Sequence, residues 1–173
     1  GSVIPLFARQ LLDGQPITVT DGAMTRFMMT LDSAVELVLY AFAHGRNGEI
    51  FVQKAPASTV GDIAEALRNI FQRPDHPIQV IGTRHGEKLF ETLLTREEMV
   101  NSRDYGDYYC IVPDMRDLNY NIYFAEGEQE ISVAEDYNSH NTIRLTKEQT
   151  QSMIGALPYI KAVAAGDLDT FEA

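Results

Sequence analysis

The sequence predicts a mixed α/β fold of the α+β kind, a small mixed sheet with helices. Three observations predict it. Short β-rich runs at residues 16–20, 49–54, 78–81 and 107–113 alternate with apolar-periodic stretches that carry helix caps. Glycine and proline punctuate the boundaries between them. The chain has 173 residues, 45% hydrophobic and 23% charged, an ordinary globular composition within the size of one domain and long enough to bury a core.

Residues 3–12 read as a helix with Pro5 in its first turn, ended by Asp13-Gly14. Residues 16–20 form a short strand closed by the Asp21-Gly22 turn, and residues 24–29 a second extended piece containing Arg26. Thr30 or Asp32 caps a helix through Phe42 that is apolar on most sides, so it should be well buried. Gly45 to Gly48 turns the chain into a strand over 49–54. Ser58 or Thr59 caps the next helix, with Ile63, Leu67 and Ile70 as its inward stripe. Pro74 and Pro77 bracket a turn before the strand 78–81, and residues 87–94 are expected to be helical. Thr95 and Glu98 have capping-box spacing, residues 107–113 resemble another strand, and Thr146 caps a last helix that Pro158 should end.

The fold thus divides into a lobe over 1–113, a polar arm over 114–145 and a C-terminal helix and tail over 146–173. The arm is rich in Asn and Tyr and carries Glu126, Glu128, Glu130, Glu135 and Asp136. It has too few apolar residues to fold alone, so it is expected to pack on a neighbouring subunit.

Net charge is −11, which argues against a nucleic-acid or membrane-surface binder, because such proteins need a basic face to offset phosphate charge. Any phosphate must be held by a few placed cations. No apolar run reaches the length of a membrane span, and the apolar N-terminal run is broken by Arg9, Gln10, Asp13 and Gln15, so no signal peptide is expected. The single cysteine, Cys110, forms no internal disulfide and fits a reducing cytoplasm; it reads as a small, partly buried hydrophobe. His44, His76, His85 and His140 show no metal-ligand spacing, so no metal is expected. In so acidic a chain the tyrosines from Tyr105 to Tyr123 suit core and interface packing better than base stacking.

The most informative stretch is Gly82-Thr83-Arg84-His85-Gly86-Glu87-Lys88, where a strand ends. It is not a P-loop, because Glu87 stands where that motif needs lysine. A solvated turn stays open on the motif alone. Arg26, between Thr25 and Phe27 in an otherwise apolar stretch, wants an anion, because an unpaired buried charge is costly; an internal ion pair or a snorkelling side chain is the alternative.

Together with Gly1-Ser-Val-Ile-Pro-Leu-Phe7, Met24-Thr-Arg-Phe-Met-Met-Thr30, Ile50-Phe-Val-Gln-Lys-Ala-Pro-Ala-Ser58, Arg116-Asp-Leu-Asn-Tyr120 and Ser139-His-Asn-Thr142, this stretch carries a resemblance. The chain resembles the C-terminal, substrate-binding half of an extended short-chain dehydrogenase/reductase. Within that family it is most similar to the capsular-polysaccharide UDP-N-acetylglucosamine 4,6-dehydratase (inverting, 5-epimerising) group, whose members are often labelled UDP-glucose 4-epimerase or polysaccharide biosynthesis protein. The chain has neither a GxxGxxG loop nor a Tyr-x-x-x-Lys pair. The resemblance implies that both lie in an N-terminal Rossmann half, absent here, which binds NADP(H).

By the same resemblance the parent is a cytoplasmic homo-oligomer. It converts UDP-N-acetylglucosamine to a 4-keto-6-deoxy sugar nucleotide by 4,6-dehydration with C5 inversion, for surface polysaccharide synthesis. This chain alone should be inactive, with no catalytic or cofactor-binding residue. Arg84 and Arg26 would hold the diphosphate, Arg84 through its planar donor fork. Glu87 would accept a bond from ribose or orient Arg84. Val3, Ile4 and Pro5 would lie along the nucleotide, and Thr18 and Val19 would flank the uracil; plain core packing is the alternative for the apolar ones. Lys88 and His85 would serve the surface or subunit contacts. A UDP-hexose 4-epimerase of the same fold and a non-catalytic sugar-nucleotide or protein-interaction module remain the other readings.

Overall fold

A computed structural model describes residues 3–83, 85–113 and 133–166. In chain order its elements are α1 (Val3–Leu12), β1 (Ile17–Val19), β2 (Thr25–Phe27), α2 (Leu31–His44), β3 (Ile50–Gln53), β4 (Ala57–Thr59), α3 (Val60–Ile70), β5 (Ile78–Val80), β6 (Thr92–Leu94), α4 (Arg96–Val100), β7 (Ser102–Asp104), β8 (Tyr108–Ile111), β9 (Tyr137–Asn138), α5 (Lys147–Ala156) and α6 (Pro158–Ala164). The class is the mixed α/β one expected, but among the described residues the strands form four small sheets. Two compact units share the chain. The first is assembled from Gly1–Phe27, Ala57–Phe90 and Ile143–Ala173, the second from Met28–Pro56 and Glu91–Thr142.

In the first unit, α1 buries Phe7, Ala8 and Leu11 on one face. Gly14, at φ +69°, ends it in the left-handed turn that glycine tolerates best. β1 then pairs in parallel with β5, in the register Ile17↔Ile78 and Val19↔Val80. Strand alternation points Ile17 and Val19 into the core and leaves Thr18 on the other face, half-buried. Thr59 caps α3 by accepting from Asp62 N at 2.9 Å. α3 buries Val60, Ile63, Ala64, Ala66 and Leu67. α5 packs on α3 and starts with a capping box of Thr146 and Gln149. Pro158 does more than end that helix: at the first position of α6, where its missing N–H costs nothing, it starts another one. Ile160 and Val163 of α6 are buried. Among the described residues, Thr150 and Ile154 of α5 thus join Ile160 and Val163 in this unit's core.

In the second unit, β8 lies between β3 and β7, antiparallel to both, and β6 pairs with β9. Thr30 caps α2, accepting from Ser33 N at 3.1 Å. The expectation that α2 is well buried fails, since none of its residues is buried. One side packs through Tyr40 on Phe51 and Tyr108, while Leu31, Val35, Val38, Leu39 and Phe42 are exposed. The expected helix over 87–94 is also absent. Residues 87–91 are irregular and Thr92–Leu94 is strand. Helix-favouring side chains lose here because other strands and loops take the backbone: Leu89 O accepts from Thr25 N, and Glu91 exchanges bonds with Ser139 through both its N–H and its C=O. Strands β4, β6, β7 and β9, two or three residues each, carry too little pattern to be read from sequence.

Candidate functional site

The candidate site is built in the first unit, at the C-terminal ends of the parallel pair β1 and β5, the end at which parallel sheets usually receive ligands. β1 runs out through the turn Asp21–Ala23, held by Ala23 N donating to Asp21 Oδ1 at 2.8 Å, into β2 and Arg26. β5 runs out into Gly82 and Gly86, at φ +82° and +85°, where a side chain would be strained. The two exits meet. Thr25 N donates to Leu89 O at 3.0 Å, and Arg26 Nη2 donates to Lys88 O at 3.1 Å. Arg26 Nη1 also donates to Thr25 O at 2.7 Å, and Met24 Sδ lies 3.8 Å from Nη2. The arginine picked out as a lone cation in an apolar stretch therefore ties the glycine-bearing loop to β2 by its guanidinium. Ser58, opposite Arg26 in the β2–β4 ladder, fixes that ladder from behind through a buried 2.9 Å hydrogen bond with Thr150 of α5.

Arg84 lies outside the described residues. Glu87 is half-buried in the same loop, and His85 and Lys88 are exposed there. Val3, Ile4 and Pro5 are half-buried in the first turn of α1. Thr18 is fixed doubly by Gln10, whose Nε2 donates to Thr18 Oγ1 at 2.7 Å and whose Oε1 accepts from Thr18 N at 3.0 Å. Val19 is 1% exposed, so its side chain belongs to the core, and its carbonyl already accepts from Ile81 N. The structure thus brings Arg26 together with the loop of Glu87, and joins α1 to β1 at Thr18. Gln10 was not singled out in the sequence; its partner is eight residues away and on another element, which no local pattern records.

A dinucleotide's diphosphate needs a glycine-rich turn that opens directly into a helix. The described residues after β5, from 85 to 91, open into irregular backbone instead. Among the described residues no group of His, Cys, Asp or Glu could hold a metal ion, and no helix is long and apolar enough to cross a membrane.

Residues 1–113 match the polysaccharide biosynthesis protein family, and residues 114–161 match its C-terminal region family. The chain belongs to the polysaccharide biosynthesis protein family. What it shares is the C-terminal part of an extended short-chain dehydrogenase/reductase. Among curated relatives, proteins named UDP-glucose 4-epimerase from Rickettsia canadensis (strain McKiel) and Rickettsia massiliae (strain Mtu5) are each 52% identical over 161 residues, 93% of this chain and 47% of theirs. Among solved structures, that of Pen from Bacillus thuringiensis superposes with a TM-score of 0.71 at 33% identity, covering 89% of this chain and 44% of that one. The chain therefore spans about half the length of the relatives it matches.

Proposed function

We propose that this chain is the nucleotide-sugar-binding part of an enzyme that remodels a UDP-linked hexosamine for polysaccharide biosynthesis. The observation that carries the reading is the bond from Arg26 to Lys88 O, in the loop that begins with Gly82 and Gly86 at the C-terminal end of a parallel strand pair. A guanidinium is the side chain best shaped for diphosphate oxygens, and two positive-φ glycines let backbone approach them closely. In the proposal Arg26 and Arg84 hold the diphosphate, Glu87 orients Arg84 or the ribose, and the first turn of α1 and Thr18 border the nucleoside. Binding energy at this end positions the sugar for reaction elsewhere in the protein.

The finer reading is that the parent, a homo-oligomer, converts UDP-N-acetylglucosamine to a 4-keto-6-deoxy product with inversion at C5. NADP(H) would be held by an N-terminal Rossmann half, and the chemistry it supplies belongs there. One observation favours a second reading, simple C4 epimerisation: the 52%-identical relatives carry the name UDP-glucose 4-epimerase.

Proton NMR of the full parent polypeptide with UDP-N-acetylglucosamine and NADP separates the two. A new C6 methyl doublet is the expected outcome. An intact hydroxymethyl group with an inverted C4 proton would replace dehydration by epimerisation, and an unchanged spectrum would remove both.

A further inference from the structure

A helix cannot satisfy the backbone N–H groups of its own first turn, so something outside it must. In α3 three of them are taken. Asp62 N donates to its cap, Thr59 Oγ1, at 2.9 Å. Val60 N donates to Met24 O at 2.8 Å, and Gly61 N to Gly22 O at 3.0 Å. The positive end of α3 is thus turned on the carbonyls of the segment that carries β1 into β2. With these donors used, the terminus is not available to an anion, and a diphosphate at this end of the β1–β5 pair has to be met by side chains and by the loop after β5.

Gly61 is what lets the two backbones come so close. A methyl group there would stand 3.1 Å from Gly22 O, 3.5 Å from Gly22 Cα and 3.7 Å from its carbonyl carbon. Backbone, not a yielding side chain, would have to give way. Helix propensity does not favour glycine at this position, since alanine is the better helix former. Close approach does. The turn it meets is itself tied, with Ala23 N donating to Asp21 Oδ1 at 2.8 Å and Met24 N to Asp21 O at 3.2 Å. Arg26 follows directly. Met24 and Thr25, between turn and guanidinium, are 3% and 0% exposed, so a shift of the turn has no slack in which to dissipate.

We propose that Gly61 is a positioning residue for Arg26. Its missing side chain lets α3 draw the Asp21–Ala23 turn in by two backbone hydrogen bonds, and the turn sets where the guanidinium meets its ligand. The inference rests on the reading of this site as one that holds a sugar nucleotide's diphosphate. It adds a residue that no ligand touches and on which ligand affinity depends.

The test uses the full parent polypeptide, with titration calorimetry against UDP, thermal unfolding and amide hydrogen exchange. Gly61→Ala should weaken UDP binding about tenfold, a part of the roughly hundredfold that a misplacement of about 1 Å can cause. The amide at position 61 should exchange faster, because its bond to Gly22 O is stretched. The thermal transition should hold, since alanine's propensity offsets the crowding. In an Arg26→Ala background the same change should weaken binding no further, because its effect runs through the guanidinium. Asp21→Ala is a second variant, reaching the turn from its other side by removing the acceptor of Ala23 N. It should weaken binding more than Asp21→Asn, which loses the same charge and keeps an acceptor. Undiminished binding in Gly61→Ala and Asp21→Ala would overturn the proposal, as would an equal loss with and without Arg26. A thermal transition that falls along with affinity in both variants would make Gly61 a residue of the fold alone. If the unmutated parent binds no UDP, the reading of the site falls and this inference with it; if it binds UDP and the variants bind equally well, this inference falls by itself.

Discussion

In the proposed function Arg26 would serve structure and ligand together. Its guanidinium bonds to the carbonyls of Thr25 and Lys88, so the side chain is held in place before any ligand arrives. Pre-ordering of this kind lowers the entropy lost on binding. A lysine keeps the charge but loses the fork, and so cannot hold the loop and an anion in the same geometry. Arg26→Lys in the parent should therefore weaken UDP-sugar binding by about tenfold or more, the loss of one charge-assisted contact. It should also hasten tryptic cleavage after Lys88. Titration calorimetry and a proteolysis time course read the two effects. Weakened binding with unchanged cleavage would leave Arg26 a ligand contact with no part in ordering the loop. Unchanged binding would remove it from the site.

At the scale of elements, the β2–β4 ladder that presents Arg26 is only three residues long, too short to be stable alone. Its support comes from neighbours. Ala57 N donates to Ile143 O and Leu145 N to Ala57 O on one side, and the buried Ser58–Thr150 hydroxyl pair lies between β4 and α5. Ser58→Ala leaves a buried hydroxyl without this partner and should cost about 1–3 kcal/mol. Adding Thr150→Val removes the orphan and should return much of that loss, which urea unfolding of both variants measures. Equal stability of the single variant and the unmutated chain would mean that water reaches Thr150. The same elements explain what could be read from the sequence. The helices α1 and α3 carry apolar stripes and local start or stop signals, and α5 a cap and a following proline, so their positions were legible, as were β1, β3, β5 and β8. Arg26 stood out as a candidate because a lone cation among methionines is a local oddity. The short strands were not, because their pairing partners, such as Asn138 for Thr92, lie tens of residues away. Residues 87–94 misled for the converse reason: their local preference is helical, and Thr25, Ser139 and Asn138 overrule it. α2 misled because its composition records a burial that the described residues only half supply.

For the whole molecule, the consequence of building each unit from separated stretches is that no cut in the chain is neutral. The first unit closes only when residues 143–166 return to it. α5 covers α3, and Thr150, Ile154, Ile160 and Val163 are each buried to 1% exposure or less. Remove that segment, and the buried Ile154, Ile160 and Val163 go with it, with two backbone bonds at Ala57 and the Ser58 hydroxyl pair lost as well. Burying an aliphatic side chain contributes about 1.5–3 kcal/mol, and a domain's net stability is only about 5–15 kcal/mol, so losing three such residues' worth of core is enough to unfold a unit. A chain ending at Thr142 should therefore lose the cooperative urea transition of the first unit, bind a hydrophobic dye such as ANS, and leave the β1–β5 exits without a fixed Arg26. Circular dichroism through a urea titration, with dye fluorescence alongside, distinguishes this from the alternative. If the shortened chain kept an unchanged transition and bound no dye, α5 and α6 would be an appendage, and the core of the first unit would rest on α1, β1 and α3 alone.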